Sequence, residues 1–418
     1  MRKRVAFVTL GCKLNFSESS TFAREFESAG YERVDEDSIA DLYVINTCSV
    51  TEHADKKCRQ TIRKLHKKNP KAVVVVTGCY AQLQPCSIAE IEGVDAVIGA
   101  GNKGELFKIA DAILEKRKAP LLYPCDISEV ENIFPAFSQG DRTRSFLKIQ
   151  DGCNYNCSYC TIPLARGKSR NLPIGTLVAQ AREIASKGVK EIVLTGVNTG
   201  DYGRTTHEDF LDLIKALNDV EGIARYRISS IEPNLLREDI LGFISSGTKF
   251  QPHFHIPLQS GSNSILAKMR RRYNREMFAD KISMIRELMG DVFFGIDVIA
   301  GFPGEGEEEF AETYGFLADQ IKPAAIHVFP YSRRANTDAA AMKGQVREIV
   351  KTQRVEKLMQ LSDKLHDEYC CRFKGTEQEV LFESANKDGK MFGYTGNYIK
   401  VERPYNEELI GEIAKVRL

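Results

Sequence analysis

The fold is decided by residues 146–160, which read FLKIQDGCNYNCSYC. The first five residues form a short apolar-rich run of the kind that predicts a β-strand. Three cysteines, Cys153, Cys157 and Cys160, follow within eight residues. Thiolates this close together, directly after a strand, can bind a single metal centre at the end of that strand.

Strand–helix alternation surrounds this stretch and continues to residue 331. Apolar runs predict strands over residues 146–150, 191–195, 226–231, 253–258, 292–299 and 325–331. Helical spacing fills the intervals at residues 175–187, 208–220, 236–246, 274–289 and 305–320. Six such units predict a partial (β/α)6 barrel, in which chemistry sits at the C-terminal ends of the strands.

The preceding 118 residues show the same alternation in a shorter form. Strands are predicted at residues 5–10, 42–46, 72–78 and 94–99, with helices at 17–30, 52–69 and 103–118. This order predicts a doubly wound parallel α/β domain.

The domain organisation follows from where the pattern changes. Residues 1–118 form the first domain, and the polar, Pro-containing residues 119–138 predict a linker. Residues 139–370 form the barrel domain and include most of a helix predicted over about residues 345–373. Residues 371–418 alternate with period two and predict a small antiparallel β-barrel.

Composition excludes several classes of protein. The chain has 418 residues, 43% hydrophobic and 28% charged, with a net charge of +1, which argues against a disordered or uniformly basic protein. Its apolar runs are too short to span a membrane, and its first residues lack the pattern of a secretory signal, so we expect a cytoplasmic protein. In a reducing compartment the 11 cysteines are poor candidates for disulfides.

The cysteine trio of residues 153–160 allows two interpretations. It fits a 4Fe–4S cluster in which one iron is left without a protein ligand. It also fits a structural zinc completed by a distant fourth ligand. The spacing favours the cluster, since it is unusual for zinc.

A second trio is spread over the first domain. Cys12, Cys48 and Cys79 each follow one of its predicted strands. Because neighbouring parallel strands end at one edge of a sheet, these thiols should lie close together. They predict a second three-thiolate cluster with an open iron, although a free cysteine is often only a small buried apolar residue.

The trio of residues 153–160 resembles the signature of the radical S-adenosylmethionine (SAM) superfamily. The resemblance implies that the open iron binds the amino and carboxylate groups of SAM, and that Cys153, Cys157 and Cys160 hold the SAM-cleaving cluster. It places Tyr159 near the adenine. It also suggests SAM contacts at strand ends, at Gly196, Asn198, Ser230 and Gln259.

Nearly the whole chain resembles the methylthiotransferase family. The motifs are LGCKLN, NTCSVT, TGCYAQ, IQDGCNYNCSYCTIPLARGKSR, LTGVN, SSIEP, HIPLQSGSNSILAKMRR, GFPGE and FPYSRRANT. The resemblance implies a cluster-bearing N-terminal domain, a radical-SAM partial barrel and a C-terminal TRAM domain. It further implies that one SAM donates a methyl group while another generates a radical, so that a methylthio group replaces hydrogen on an unactivated carbon.

The motif at residues 10–15, LGCKLN, is most similar to the branch acting on N6-threonylcarbamoyladenosine beside the tRNA anticodon. Isopentenyladenosine in tRNA and an aspartate of a ribosomal protein are the alternative targets. A non-catalytic, zinc-containing RNA-binding protein is the alternative of another class. The enzyme interpretation implies an electron donor such as flavodoxin or ferredoxin.

RNA contacts are expected from local basic clusters and from aromatic side chains. The basic clusters are Lys56, Lys57, Arg59, Arg63, Lys64, Lys67, Lys68 and Lys71; Lys268, Arg270, Arg271, Arg272 and Arg275; and Arg142, Arg144, Arg166, Lys168 and Arg170. The aromatics are Phe392, Tyr394 and Tyr398. Arg166, Arg333 and Arg334 are candidates for pairing with the carboxylate of the threonylcarbamoyl group, because guanidinium binds carboxylate in a bidentate manner.

Overall fold

The computed structural model describes residues 2–116 and 121–418. The N-terminal domain contains a parallel sheet of six strands in the order β2-β1-β3-β4-β5-β6. The strands are β1 (Arg4–Thr9), β2 (Glu32–Val34), β3 (Leu42–Thr47), β4 (Val73–Gly78), β5 (Ala96–Ile98) and β6 (Leu121–Tyr123). The helices are α1 (Lys13–Ser28), α2 (Glu52–Lys68), α3 (Cys79–Leu83), α4 (Pro85–Ala89) and α5 (Leu106–Lys116). Separate apolar cores on the two faces of the sheet confirm the doubly wound prediction.

Two departures from the sequence-based prediction concern the end of this domain. The helix predicted over 103–118 begins as a 3-10 helix at Ala100–Glu105 and continues as α5, while residues 117–118 lie outside the described part. Residues 119–120 of the predicted linker also lie outside it. The linker prediction is wrong for residues 121–123, which form β6 and pair with β5. Their apolar side chains pack against the core on one face of the sheet, which favours a strand over a loop.

The central domain contains eight strands, six of which are parallel and form its wall. Its strands are β7 (Ser145–Lys148), β8 (Gln150–Asp151), β9 (Arg170–Asn171), β10 (Glu191–Thr195), β11 (Arg225–Ile228), β12 (His253–Gln259), β13 (Phe293–Ala300) and β14 (Ala325–Pro330). Strands β7, β10 and β11 form one three-stranded sheet and β12, β13 and β14 another, with parallel bridges between Tyr226 and Phe250 and between Ser230 and His255. The two sheets thus form the curved wall of a partial barrel, while β8 and β9 pair separately.

The helices of this domain are α6 (Ile162–Arg166), α7 (Ile174–Ser186), α8 (Phe210–Asn218), α9 (Glu238–Ser245), α10 (Asn263–Lys268), α11 (Arg275–Met289), α12 (Glu307–Gly315), α13 (Asp338–Ala341) and α14 (Glu348–Cys371). All of them except α6 and α13 contribute to the apolar core against the strands. Alternate strand residues, such as Phe254, Ile256 and Ile296, are buried in the core shared with the helices. The residues between them face the lumen of the barrel.

The C-terminal domain is an antiparallel sheet in the order β17-β16-β15-β18. Its strands are β15 (Glu377–Phe382), β16 (Lys390–Thr395), β17 (Lys400–Pro404) and β18 (Ile413–Arg417). It is fixed to the barrel by Arg227, which donates to the carbonyl oxygens of Thr395 and Gly396 at 2.8 and 2.7 Å. A search of the described helices finds none with the length and apolar character that crossing a membrane requires.

Candidate active site

The N-terminal cysteine trio lies at one edge of the parallel sheet. Cys12 is the N-cap of α1, Cys48 follows β3, and Cys79 is the first residue of α3. Because β1, β3 and β4 are adjacent, their ends bring the three cysteines together. A Cβ on Gly11 would lie 3.0 Å from that of Cys48, which shows how closely the first two turns approach.

The raised pKa values of two thiols in this trio are consistent with a metal-cluster site. Burial and the neighbouring Cys79 raise the pKa of Cys48 to about 12. Burial also raises the pKa of Cys79, although Arg166 opposes it. Thiols whose pKa is raised in this way, Cys48 and Cys79, become thiolates at neutral pH only beside a positive centre, and an iron–sulfur core supplies one.

The second trio lies in the loop after β8. Cys153, Cys157 and Cys160 border a cavity of about 620 Å³ that opens beside α6. Burial raises the pKa of Cys153 to about 11 and that of Cys160 to about 12. The donor set is therefore of the same kind as in the first trio.

Each trio receives a hydrogen bond from one buried arginine. Arg166 Nε donates to Cys79 Sγ at 3.3 Å, and Arg271 Nη1 donates to Cys157 Sγ at 3.2 Å. A guanidinium stabilises an anionic sulfur far more than a neutral thiol, so both contacts fit thiolates that ligate metal. The sequence indicated basic residues at both positions but not their contacts with sulfur.

Arg166 also connects the two trios. It is six residues from Cys160 in sequence, yet it contacts Cys79 and donates to Asn15 Oδ1 at 3.3 Å. Its guanidinium is paired with Glu18 of α1 and Asp151 of β8. The two cysteine sites therefore meet across the interface between the first two domains.

A cavity of about 250 Å³ lies at this junction. Its wall includes Val50 and Thr51, which follow Cys48 in sequence, and Tyr159 and Cys160 from the barrel loop. Gln259 contributes from the end of β12, where its φ is +69°. This cavity is in contact with Cys160 and with the loop that carries Cys48.

The other predicted SAM contacts lie at the ends of the strands. Gly196 follows β10, and a Cβ there would lie 2.9 Å from Gln150 Oε1. The buried side-chain amide nitrogen of Asn198 has no hydrogen-bond partner among the described residues. The Ser230 carbonyl accepts from the backbone N–H of Thr199 at 3.1 Å. Asn198 and Gln259 are thus better placed than Ser230 to bind a ligand. The Ser230 carbonyl is engaged in a backbone hydrogen bond that stabilises the fold.

The structure contradicts the prediction of Arg166 and Arg271 as RNA contacts, and that of Arg166 and Arg334 as partners of the threonylcarbamoyl carboxylate. Arg166 and Arg334 are buried, and Arg334 pairs with Asp55 at 2.6 Å. Arg271 pairs with Glu232. These predictions are wrong because the three arginines are paired with acids of this chain. The sequence did not show this pairing because the acids are distant from the arginines in sequence.

The aromatic residues of the C-terminal domain are also largely engaged. Tyr394 and Tyr398 stack on each other with ring centroids 4.8 Å apart, and Arg144 lies over both rings. Tyr398 further packs against His253 of β12. Only Phe392, covered by Lys400, is not held by the barrel domain in the described contacts.

Family models match three parts of the chain: the uncharacterized protein family UPF0004 over residues 4–99, the radical SAM superfamily over 147–317 and the TRAM domain over 372–418. A Bacillus subtilis (strain 168) protein named threonylcarbamoyladenosine tRNA methylthiotransferase MtaB is 44% identical, covering 99% of this chain and 93% of its own length. The chain belongs to the radical-SAM tRNA methylthiotransferase family. An Aquifex aeolicus protein of the same name is 40% identical over 99% of both chains.

Other family members carry a different substrate in their names. A tRNA-2-methylthio-N(6)-dimethylallyladenosine synthase from Carboxydothermus hydrogenoformans is 33% identical, covering all of this chain and 96% of its own length. Family membership implies a 4Fe–4S cluster, SAM and a tRNA substrate, and it decides against the non-catalytic zinc alternative.

Solved structures share the fold. TsrM from Kitasatospora setae, a radical S-adenosylmethionine methyltransferase with cobalamin and a [4Fe-4S] cluster bound, aligns with a TM-score of 0.58, covering 81% of this chain and 74% of its own. The cobalamin-dependent S-adenosylmethionine radical enzyme OxsB aligns at 0.55, covering 88% and 61%. The identities of 16% and 14% show a common architecture only.

Proposed function

We infer that this methylthiotransferase modifies C2 of N6-threonylcarbamoyladenosine beside the tRNA anticodon, with two SAM molecules and two 4Fe–4S clusters. The observation that carries the proposal is the meeting of two three-cysteine sites at one interface, where Arg166 contacts Cys79 and follows Cys160 by six residues. The substrate is supported by the names of the relatives at 44% and 40% identity.

In this proposal the barrel trio holds the SAM-cleaving cluster. Cys153, Cys157 and Cys160 would ligate it, and the cluster would supply the electron that breaks a C–S bond of SAM to give methionine and a deoxyadenosyl radical. The buried amide nitrogen of Asn198 has no partner among the described residues and Gln259 lines the cavity, so these two side chains would orient SAM. Tyr159 bounds the same cavity and packs edge-on against Phe302 at 6.2 Å, which would hold its ring beside the adenine.

The N-terminal trio would hold the auxiliary cluster. Cys12, Cys48 and Cys79 provide three ligands and leave one iron for an exogenous sulfur. The chain contributes the positive environment of this site, since Arg166 donates to Cys79 and the N-terminus of α1 carries Cys12.

The tRNA would approach the exposed basic face of α2 and the C-terminal domain. Lys56, Lys57 and Arg63 are exposed on α2 and suit phosphate contacts. Bases of an unpaired loop splay out readily, so the modified adenosine can enter the cavity between the two sites. Electrons would come from a flavodoxin or ferredoxin.

The test is anaerobic reconstitution with SAM and reductant, using anticodon stem–loops that carry threonylcarbamoyladenosine, isopentenyladenosine or unmodified adenosine. Nucleoside mass spectrometry is expected to find methylthiolation of the threonylcarbamoylated substrate alone. Preferential modification of the isopentenyl substrate would instead assign the enzyme to the alternative branch. A Cys79→Ala variant should give no product with any substrate.

A further inference from the structure

A polar cluster in the barrel lumen lies outside both cysteine trios. It consists of His255 on β12, Asp297 on β13 and His327 on β14. Asp297 Oδ1 is 2.6 Å from His255 Nε2 and 3.1 Å from His327 Nδ1. We refer to these three residues as the lumen triad.

Strand alternation directs the lumen triad away from the apolar core. Phe254 and Ile256, the neighbours of His255, are buried between the barrel and its helices, as are Ile296 and Val298 on either side of Asp297. The triad side chains therefore point to the opposite face, which is the lumen.

The triad lies between two cavities. Asp297 itself lines the 250 Å³ cavity beside Tyr159 and Cys160. His253, two residues before His255, lines a second cavity of about 310 Å³, which also includes Cys12 and Lys13. A ligand held at the triad would thus lie between the two cysteine sites.

The surrounding charge favours an anionic ligand. Lys13, at the start of α1, lines the second cavity, and its side-chain nitrogen forms no hydrogen bond or ion pair within the described part of the chain. Arg144 and Arg227 line the same cavity as Lys13, and each is paired with an acid, Glu383 and Glu191 respectively. The side chain of Lys13 therefore supplies the charge that disfavours a divalent cation at the triad and attracts a carboxylate.

We propose that His327, oriented by Asp297, and Lys13 bind the carboxylate of the threonylcarbamoyl substituent and so determine substrate specificity. The proposal rests on the proposed function and names the residues that recognise its substrate. His327 Nδ1 lies 3.1 Å from Asp297 Oδ1, which leaves Nε2 as the ring nitrogen that can donate to a substrate carboxylate. The side chain of His327 is 46% exposed, so an incoming group can reach it.

This assignment replaces two of the arginines predicted from the sequence. Arg166 and Arg334 are already neutralised by buried acids of this chain. Lys13 and His327 remain as donors whose positions border the lumen.

The test compares two anticodon stem–loops in one reaction: one carries threonylcarbamoyladenosine as the free acid, the other its methyl ester. The readout is the ratio of kcat/KM for acid over ester, which does not depend on the fraction of active enzyme. Wild type is expected to prefer the acid by about tenfold or more, the size of a charge-assisted hydrogen bond to a carboxylate. His327→Phe should bring the ratio close to one, His327→Gln should give an intermediate ratio, and His53→Phe, at an exposed position of α2, should keep the wild-type ratio.

The outcomes separate this proposal from the proposed function. If wild type methylthiolates acid and ester equally well, or if His327→Phe keeps the wild-type ratio, the recognition role is wrong while the proposed function stands. If wild type modifies neither stem–loop, both are overturned. Stoichiometric binding of Mn²⁺ by the cluster-loaded wild type, lost in His327→Phe, would make the triad a metal site and would also overturn the proposal.

Discussion

Arg166 shows how a single side chain organises this molecule. It lies in a buried network with Glu18, Lys103, Lys148 and Asp151, which come from both of the first two domains. Burial raises the pKa of Glu18, but Lys103, Lys148 and Arg166 outweigh it and hold this pKa well below its usual range. The network therefore keeps both acids charged and holds the domains together.

Replacing Arg166 with methionine should destabilise the chain strongly. Glu18 and Asp151 would lose a buried cation, and breaking a buried pair in this way costs about 3–5 kcal/mol. The measurement is the free energy of unfolding in denaturant. Arg182→Met, at an exposed position of α7, is the control and should change it by less than about 0.5 kcal/mol. Equal free energies of unfolding for the two variants would show that the network does not stabilise the fold in this way.

Individual contacts of this kind were beyond the reach of sequence analysis. Cys12, Cys48 and Cys79 could be grouped because each follows a strand, and strand order determines where strands end. The contacts of Arg166 and Arg271 with sulfur depend on packing between distant segments, so only their charge could be seen. For the same reason, the buried acids that neutralise Arg334 and Arg271 were not predicted.

At the scale of elements, the position of Cys79 depends on an unusual backbone conformation at Gly78, the last residue of β4. Gly78 has a φ of +99°, and a Cβ there would lie 2.4 Å from the carbonyl oxygen of Thr47. This close approach lets the turn after β4 lie against the turn after β3.

Gly78→Ala should therefore cost more stability than the backbone conformation alone explains. The matched control is Gly188→Ala, because Gly188 has a φ of +81° and open space around it. We expect a loss of about 1 kcal/mol for Gly188→Ala and a clearly larger loss for Gly78→Ala, measured by thermal unfolding. Similar losses at both positions would mean that the turn after β4 has room to relax.

Most long elements were predictable because their apolar periodicity is strong. The six barrel strands begin and end within three residues of their predicted positions, and β7, β10 and β11 are buried along their whole length. Strands β2 and β6 were missed because they are short and not fully buried, whereas the equally short β5 is buried throughout and lies within an apolar run. The long helix predicted over 345–373 is α14, which begins at Glu348 and ends at Cys371.

At the scale of the whole molecule, His253 lies where the barrel meets the C-terminal domain. Its ring is stacked on Phe293 at 5.2 Å and packs against Tyr398 at 4.5 Å. Burial, with Arg227 and Lys13 nearby, holds its pKa well below 6.5. His253 is therefore neutral in the folded protein at neutral pH.

This arrangement predicts a pH-dependent stability. Below about pH 6.5 the unfolded chain binds a proton at His253 that the folded chain does not. The free energy of unfolding therefore decreases as the pH is lowered, by up to about 1.4 kcal/mol per pH unit. In His253→Phe this contribution disappears, and the unfolding free energy between pH 6.5 and 5.5 should fall less steeply than in wild type. Parallel pH profiles for the two proteins would show that His253 is not the group responsible.

The central claim is that two sets of three cysteines each hold a cluster near the interface between the first two domains. Iron and sulfide content after anaerobic reconstitution tests it directly. Wild type should bind about eight irons per chain, and the triple variant Cys12→Ala/Cys48→Ala/Cys79→Ala about four. The control Cys86→Ala/Cys371→Ala, at two exposed cysteines, should keep the wild-type content. A wild type with only about four irons, or a triple variant that keeps eight, would contradict the claim.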